Sequence, residues 1–165
     1  KIKFVRNPYT RAVSSYLHVM DNLEKYKNIY KNAFSDMSFF NFLKKIKDIK
    51  KPNGHWQKQS RRIEKQNINF FDKIIKIEEI EKEIEEVNKI YNTSFIYNRN
   101  SSHHTKKSDN IDFVGNIKYS IIKNNIPDYI YFYNNKIKNM VDIIYGDDIK
   151  IYKYKFSDLI KYMCN

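Results

Sequence analysis

Cysteine is nearly missing from this chain. Cys164, next to the C-terminus, is the only one. A single cysteine excludes an internal disulfide and a cysteine zinc cluster. It also leans towards a reducing compartment. Glycine and proline are scarce too, with three of each. Gly54, Gly115 and Gly146 stand too far apart to form a phosphate-cradling loop. No apolar run is long enough to cross a bilayer, and no signal peptide is legible. No internal repeat marks a solenoid or a propeller. Lys1 opens directly on a strand, so the sequence reads as starting inside a domain.

Positive charge and aromatic rings, by contrast, are abundant. Lys and Arg number 31 against 19 Asp and Glu, a net charge of +12. Such a charge implies a polyanionic partner: nucleic acid, anionic lipid, a sulfated or phosphorylated glycan, or a nucleotide. The chain is 41% hydrophobic and 16% aromatic over 165 residues. That suffices for one domain, residues 1–165, with a real core, and it excludes generic disorder.

Residues 4–16, FVRNPYTRAVSSY, organise the rest. Ile2, Phe4 and Val5 read as the end of a buried strand. Asn7 can cap a helix, and Pro8 suits its first position because proline lacks the N–H that would go unpaired there. Ala12, Val13, Tyr16, Leu17, Met20 and Leu23 then recur at helical spacing. A helix start offers N–H groups and a positive dipole to an anion. Arg6, just before it, can hold a phosphate through two parallel hydrogen bonds. Ser14 adds a hydroxyl if it faces the same way. The same residues also suit an ordinary strand–helix unit with a surface arginine.

The order strand, Arg, Asn, Pro, aromatic, x, Arg, apolar, apolar, Ser, x, aromatic resembles the 3′-phosphate-binding motif of carbohydrate sulfotransferases. The resemblance implies that Arg6 and Ser14 bind the 3′-phosphate of the donor, 3′-phosphoadenosine-5′-phosphosulfate (PAPS). Arg11 matches a further arginine of the pattern, with no binding role assigned. His55-Trp56-Gln57-Lys58-Gln59 is similar to a His-Trp-x-x-Gln segment near the acceptor side of that family. It makes His55 and Trp56 acceptor candidates, with the ring of Trp56 suited to stacking on a sugar; the alternative is that Trp56 anchors the core or the loop and His55 is a surface residue. Arg61 and Arg62 follow as a basic spot for an acidic acceptor. Asp72, Ile74, Lys76, Glu78 and Ile80 match a second family landmark, with Ile75 standing where the family has glycine. Glu78 is read there as structural. Tyr145, Asp148, Tyr152 and Tyr154 resemble the family's closing pattern, and Asp148 and Tyr154 are read as structural. The polar stretch 98–110 suits a mobile surface loop or the family's second phosphate loop. Arg99, Ser101, Ser102, Lys106 and Lys107 are the cofactor candidates in it.

Further elements follow from periodicity. Residues 21–32 read as a frayed helix end and a loop. Ser38 caps a helix over 39–49, and 51–54 is a turn. A strand is expected over 70–78. A helix follows over 79–91, with Ile80, Ile84, Val87 and Ile90 as its buried stripe. Another helix is expected over 134–144, with Asp147 and Asp148 as a helix stop rather than a metal site. No metal is expected, because the neighbours His103 and His104 have no third ligand at useful spacing.

The resemblance implies an α/β, P-loop-NTPase-like sulfotransferase fold: a parallel sheet flanked by helices, helix-rich and N-terminally incomplete. It implies transfer of a sulfuryl group from PAPS to a hydroxyl of a glycan or other acceptor. The 5′-phosphosulfate loop and the catalytic base are expected upstream of Lys1, which leaves His18 and His55 as fallback bases in this chain. Localisation is then cytoplasmic for a bacterial protein, or the Golgi lumen with an upstream membrane anchor for a eukaryotic one. The alternative is a basic nucleic-acid-binding module using phosphate contacts and aromatic stacking. A peripheral membrane or scaffold protein has only the charge in its favour.

Overall fold

The structure is a computed structural model that describes residues 1–30, 33–67, 69–97 and 112–161. It is helix-rich, with one small parallel sheet, and so of the α/β class. Strand β1 (Ile2–Val5) pairs with β2 (Lys73–Lys76). The register sets Ile2 against Lys73 and Val5 against Lys76. The expected strand over 70–78 is shorter than its apolar pattern. β1 offers only four residues to pair, and Ile77–Glu79 turns into a 3-10 helix. Ile75 is fully buried where the resemblance would place glycine.

Helix α1 (Pro8–Asp21) is the central element and buries Ala12, Val13, Tyr16, Leu17, Val19 and Met20. Tyr16 lies at the middle of the core. Its ring packs on Phe39, Phe42, Tyr119 and Phe132, and its hydroxyl donates to the Met37 carbonyl at 2.9 Å. Helix α2 (Leu23–Ile29) occupies part of the segment expected to fray. Its polar face hides one buried anchor, Tyr26, which fixes the turn against the core.

Helix α3 (Phe39–Asp48) starts where its cap predicted, with the Ser38 hydroxyl accepting the Asn41 N–H. Gly115 accepts the Phe40 N–H on its carbonyl, and a Cβ there would sit 2.4 Å from the Phe132 carbonyl oxygen. Only glycine fits that approach. After the short α4 (Arg62–Gln66) and β2 comes α5 (Ile80–Tyr91). Only Val87 of its expected apolar stripe is buried, and Ile90 is exposed. The helix packs chiefly on β2 and the 3-10 turn, so Ile80 and Ile84 are only partly covered among the described residues.

Beyond α6 (Tyr119–Ile122), α7 (Asn135–Ile151) packs along α1 and α3. It does not stop at residue 144. A kink at Tyr145 (φ −115°, ψ 20°) lets it continue through Gly146, Asp147 and Asp148. The two aspartates are therefore helical residues rather than a stop. Helix α8 (Asp158–Lys161) closes the described chain. Tyr152 and Tyr154 pack with Val5 in a second small core behind the sheet. Among the described residues no helix is long and apolar enough to cross a membrane.

Candidate anion-binding cleft

β1 delivers Arg6 to the start of α1, and the expected pair forms. The Arg6 guanidinium donates to the Ser14 hydroxyl at 3.2 Å and, through Nε, to the Thr10 hydroxyl at 3.3 Å. Two helical turns bring residues 6 and 14 to one side. Both line a cleft of about 310 Å³, together with Arg11, Ser15, His18, Gly54, His55, Gln59 and Ile77.

The cleft runs along the flank of α1 rather than over its end. Arg11, Ser14, Ser15 and His18 follow at i, i+3, i+4 and i+7, so they form one polar stripe. The helix start itself is occupied. The Asn7 side chain accepts the Tyr9 N–H at 2.9 Å, and the Asn7 N–H donates to Glu78 at 2.6 Å. This corrects the expectation that the helix end and its dipole make the site. Side-chain cations line the cleft instead. Among the described residues neither Arg6 nor Arg11 forms an ion pair, and no carboxylate lines the cleft. Two guanidinium groups, two imidazoles and two serine hydroxyls face one space. That arrangement suits a phosphate or sulfate group.

The loop over 53–60 forms the opposite wall. Arg11 donates to the carbonyls of Gln57 (2.7 Å) and Gly54 (2.8 Å). Ser15 donates to the His55 carbonyl. Gln59 matters most. Its side-chain oxygen accepts the Arg6 N–H at 2.8 Å, and its amide nitrogen donates to the Arg6 carbonyl at 2.7 Å. The amide thus pairs with the Arg6 peptide unit as a neighbouring strand would. Asp148, fully buried on α7, accepts the Gln59 N–H at 2.7 Å and the Ser60 N–H at 2.8 Å. Lys58 and Lys65 both pair with Asp147 and hold its carboxyl at about 2, well below its usual value.

Glu78 joins the two strand ends. It accepts the Asn7 N–H and the Tyr154 hydroxyl, the latter at 3.0 Å. It therefore has the structural role read for it. Glu64, beside the cleft wall, ion-pairs with Lys3 and accepts the Tyr152 hydroxyl at 2.7 Å. Burial raises its pKa, but hydrogen bonds from Lys3, Tyr152 and the Arg61 N–H outweigh this and hold it below the ordinary value.

Arg6, Ser14, His18 and His55 come together as expected candidates. Trp56 does not join them. It is 2% exposed, and its ring packs on Tyr26, Tyr30, Phe34 and Phe42. A ring covered in this way has no face for a sugar, which corrects its reading as an acceptor platform. Arg61 and Arg62 are exposed at the start of α4 and do not line the cleft. Arg99, Ser101, Ser102, Lys106 and Lys107 lie outside the described residues, as do His103 and His104. Among the described residues no three metal-ligating side chains cluster.

Sequence reasoning assigned no role to Arg11 and Ser15, although they left a signal: a polar stripe at helical spacing on an otherwise apolar helix. Gln59 and Asp148 stood in family landmarks, Asp148 as structural, but their partners, 53 and 89 residues away, were not legible. Replacing Gln59 with alanine is expected to cost about 1–2 kcal/mol for two lost hydrogen bonds. It should also shrink the rise in Tm that sulfate produces. A full sulfate response in that variant would show that Arg6 is held without it.

The comparisons agree with this geometry. The model of the Sulfotransferase family matches residues 1–155. No curated protein and no solved structure matches the chain. The match spans both strands, the clamp helix, the loop over 53–60 and the closing Tyr152–Tyr154 segment, so the chain belongs to the Sulfotransferase family.

Proposed function

We propose that this chain binds the 3′-phosphate of PAPS through Arg6 and Ser14 and serves sulfuryl transfer to a hydroxyl of a glycan. One observation carries the reading. A guanidinium and a hydroxyl 3.2 Å apart, with no carboxylate partner among the described residues, face a cleft within a family-matched segment. Arg6 supplies the parallel donors that a phosphate accepts, and Ser14 supplies a further one. Gln59 fixes the peptide unit that carries Arg6, so the guanidinium is preorganised.

The chemistry is in-line displacement at sulfur. The acceptor oxygen forms the new S–O bond as the bond to the 5′-phosphate breaks. A base takes the hydroxyl proton, and the leaving phosphate takes the electron pair. A clamp on the 3′-phosphate contributes orientation, which is worth several kcal/mol when the attack geometry is right. A general base must reach the acceptor hydroxyl at about 3 Å. His18 and His55 lie beside the clamp, at the other end of the nucleotide, so they are not assigned that role. Arg61 and Arg62 are the basic spot offered to an acidic acceptor. The alternative, single-stranded nucleic-acid binding, calls on exposed rings. Tyr16, Tyr26, Phe34, Phe42, Phe132 and Tyr145 are instead buried in the core, and the exposed rings of Phe4, Tyr91, Phe95 and Tyr97 do not line the cleft.

The test is binding of 3′-phosphoadenosine-5′-phosphate, read by calorimetry and by the shift in Tm. Arg6→Ala is expected to weaken binding by roughly 10–100-fold, the loss of a charge-assisted hydrogen bond of about 1.5–3 kcal/mol. Ser14→Ala is expected to weaken it by roughly 3–10-fold, for one neutral bond. A tenfold preference for single-stranded RNA, with Arg6→Ala harmless, would refute the reading.

A further inference from the structure

Two histidines share the cleft with the arginines. His18 projects from α1, and His55 from the loop opposite. Their rings stack, with centroids 4.0 Å apart and planes 23° apart. His18 Nε2 lies 3.1 Å from the Tyr26 hydroxyl, and Tyr26 stands edge-on to both rings. The His55 backbone is anchored on both sides: its N–H donates to Asn53 at 3.0 Å, and its carbonyl accepts from Ser15. The stack is thus a built contact between α1 and the loop.

The groups lining the cleft around this stack are neutral or positive; Asp21, one turn beyond His18, is taken up by the Tyr119 hydroxyl, and Asp148 acts on Arg11 from α7. From α1 and its approach come Arg6 and Arg11, from α2 Lys25 and Tyr26, and from the loop only His55 itself. No carboxylate lines the cleft. A proton on His55 therefore meets the Arg11 guanidinium, the Lys25 ammonium and the His18 ring. A like charge nearby disfavours the charged form, and partial loss of solvent does so as well. Partial desolvation, then His18, Arg11 and Lys25, together hold His55 below its ordinary pKa. An anion seated between Arg6 and the stack reverses that balance.

We propose that the His18–His55 stack is a second anion-binding wall of this cleft, with His55 taking up a proton when a phosphate or sulfate group binds. The inference rests on the phosphate reading of the cleft. Binding and protonation then favour one another, as linkage requires. Each unit by which the anion raises the His55 pKa adds about tenfold to affinity at acid pH relative to alkaline pH.

The experiment is calorimetric titration of 3′-phosphoadenosine-5′-phosphate at pH 6.5 in two buffers of different ionisation enthalpy. The ligand's own phosphates titrate near pH 6. The reading is therefore the difference between the wild type and His55→Gln, a change at an exposed side chain. The expected result is an uptake larger by roughly 0.3–1 proton in the wild type, with a steeper rise in affinity from pH 8 to 5.5. Arg6→Ala marks the phosphate site independently. Equal proton uptake in the wild type and His55→Gln, with Arg6→Ala still abolishing binding, overturns the proposal and leaves the phosphate site standing. Absence of binding in the wild type overturns both.

Discussion

Replacing Trp56 with alanine is expected to lower the folding free energy by about 3–5 kcal/mol, the usual cost of deleting a large buried ring. Four aromatic rings surround the indole, with centroids 5.3–6.3 Å away, and edge-on or tilted contacts of this kind add to the area buried. The ring also joins the loop over 53–60 to α2 and α3, because Tyr26 and Phe42 touch it from those helices. Its neighbours cannot collapse into the gap without moving the loop. In a protein of this size the loss corresponds to a fall in Tm of roughly 6–20 °C, at about 2–4 °C per kcal/mol. Trp56→Phe should recover much of it. That ring is smaller, but it also removes an indole N–H that is buried without a hydrogen-bond partner. Urea unfolding of the two variants decides the matter. A loss under 1 kcal/mol for Trp56→Ala, with weaker binding of the proposed acceptor, would return the residue to the acceptor site.

The second large effect is expected at Asp148. Its carboxylate is fully buried and accepts two backbone N–H groups, those of Gln59 and Ser60. Asp148→Ala leaves both donors without their acceptor. Each such loss costs about 1–3 kcal/mol, so a destabilisation of roughly 2–6 kcal/mol is expected. Asp148→Asn is the sharper variant. Its amide oxygen can still accept one N–H, but its NH2 group then faces the other. It should retain the fold while loosening the loop. Because Gln59 pairs with the Arg6 peptide unit, that loosening should reach the clamp and weaken 3′-phosphoadenosine-5′-phosphate binding by several-fold. A double-mutant cycle between Asp148→Asn and Gln59→Ala should show a coupling of about 0.5 kcal/mol or more, since the two side chains act in one hydrogen-bonded chain. Strict additivity would mean that Asp148 stabilises the loop without positioning Arg6.

The loop over 53–60 thus links stability to the site. It carries a core anchor in Trp56, a cleft wall in His55 and a positioning residue in Gln59. Consecutive side chains serve opposite directions because the loop crosses from the cleft to the core within a few residues. Sequence alone leaves Trp56 open between core anchor and acceptor platform, since a lone tryptophan beside a histidine has the same signature in either place.

Family likeness and local pattern settled much before any coordinates. Asn7 and Ser38 start α1 and α3 because a cap and its N–H partner lie within three residues. Arg6 meets Ser14 because two helical turns separate them and the helix is regular. The apolar spacing of α1 determined which face is buried. Only tertiary packing decided the rest. α2 forms where a loop was expected, because Tyr26 finds a pocket between Phe34 and Trp56. α7 runs past its expected end, where Asp148 captures the loop from 89 residues away. α5 carries an apolar stripe that its neighbours cover only in part, with Val87 buried and Ile90 exposed. The stacked histidines, 37 positions apart, face each other only because the loop folds back on α1. Periodicity within a few turns is written in the sequence, since neighbours on a helix enforce it. Contacts across dozens of residues depend on which faces the core can bury together.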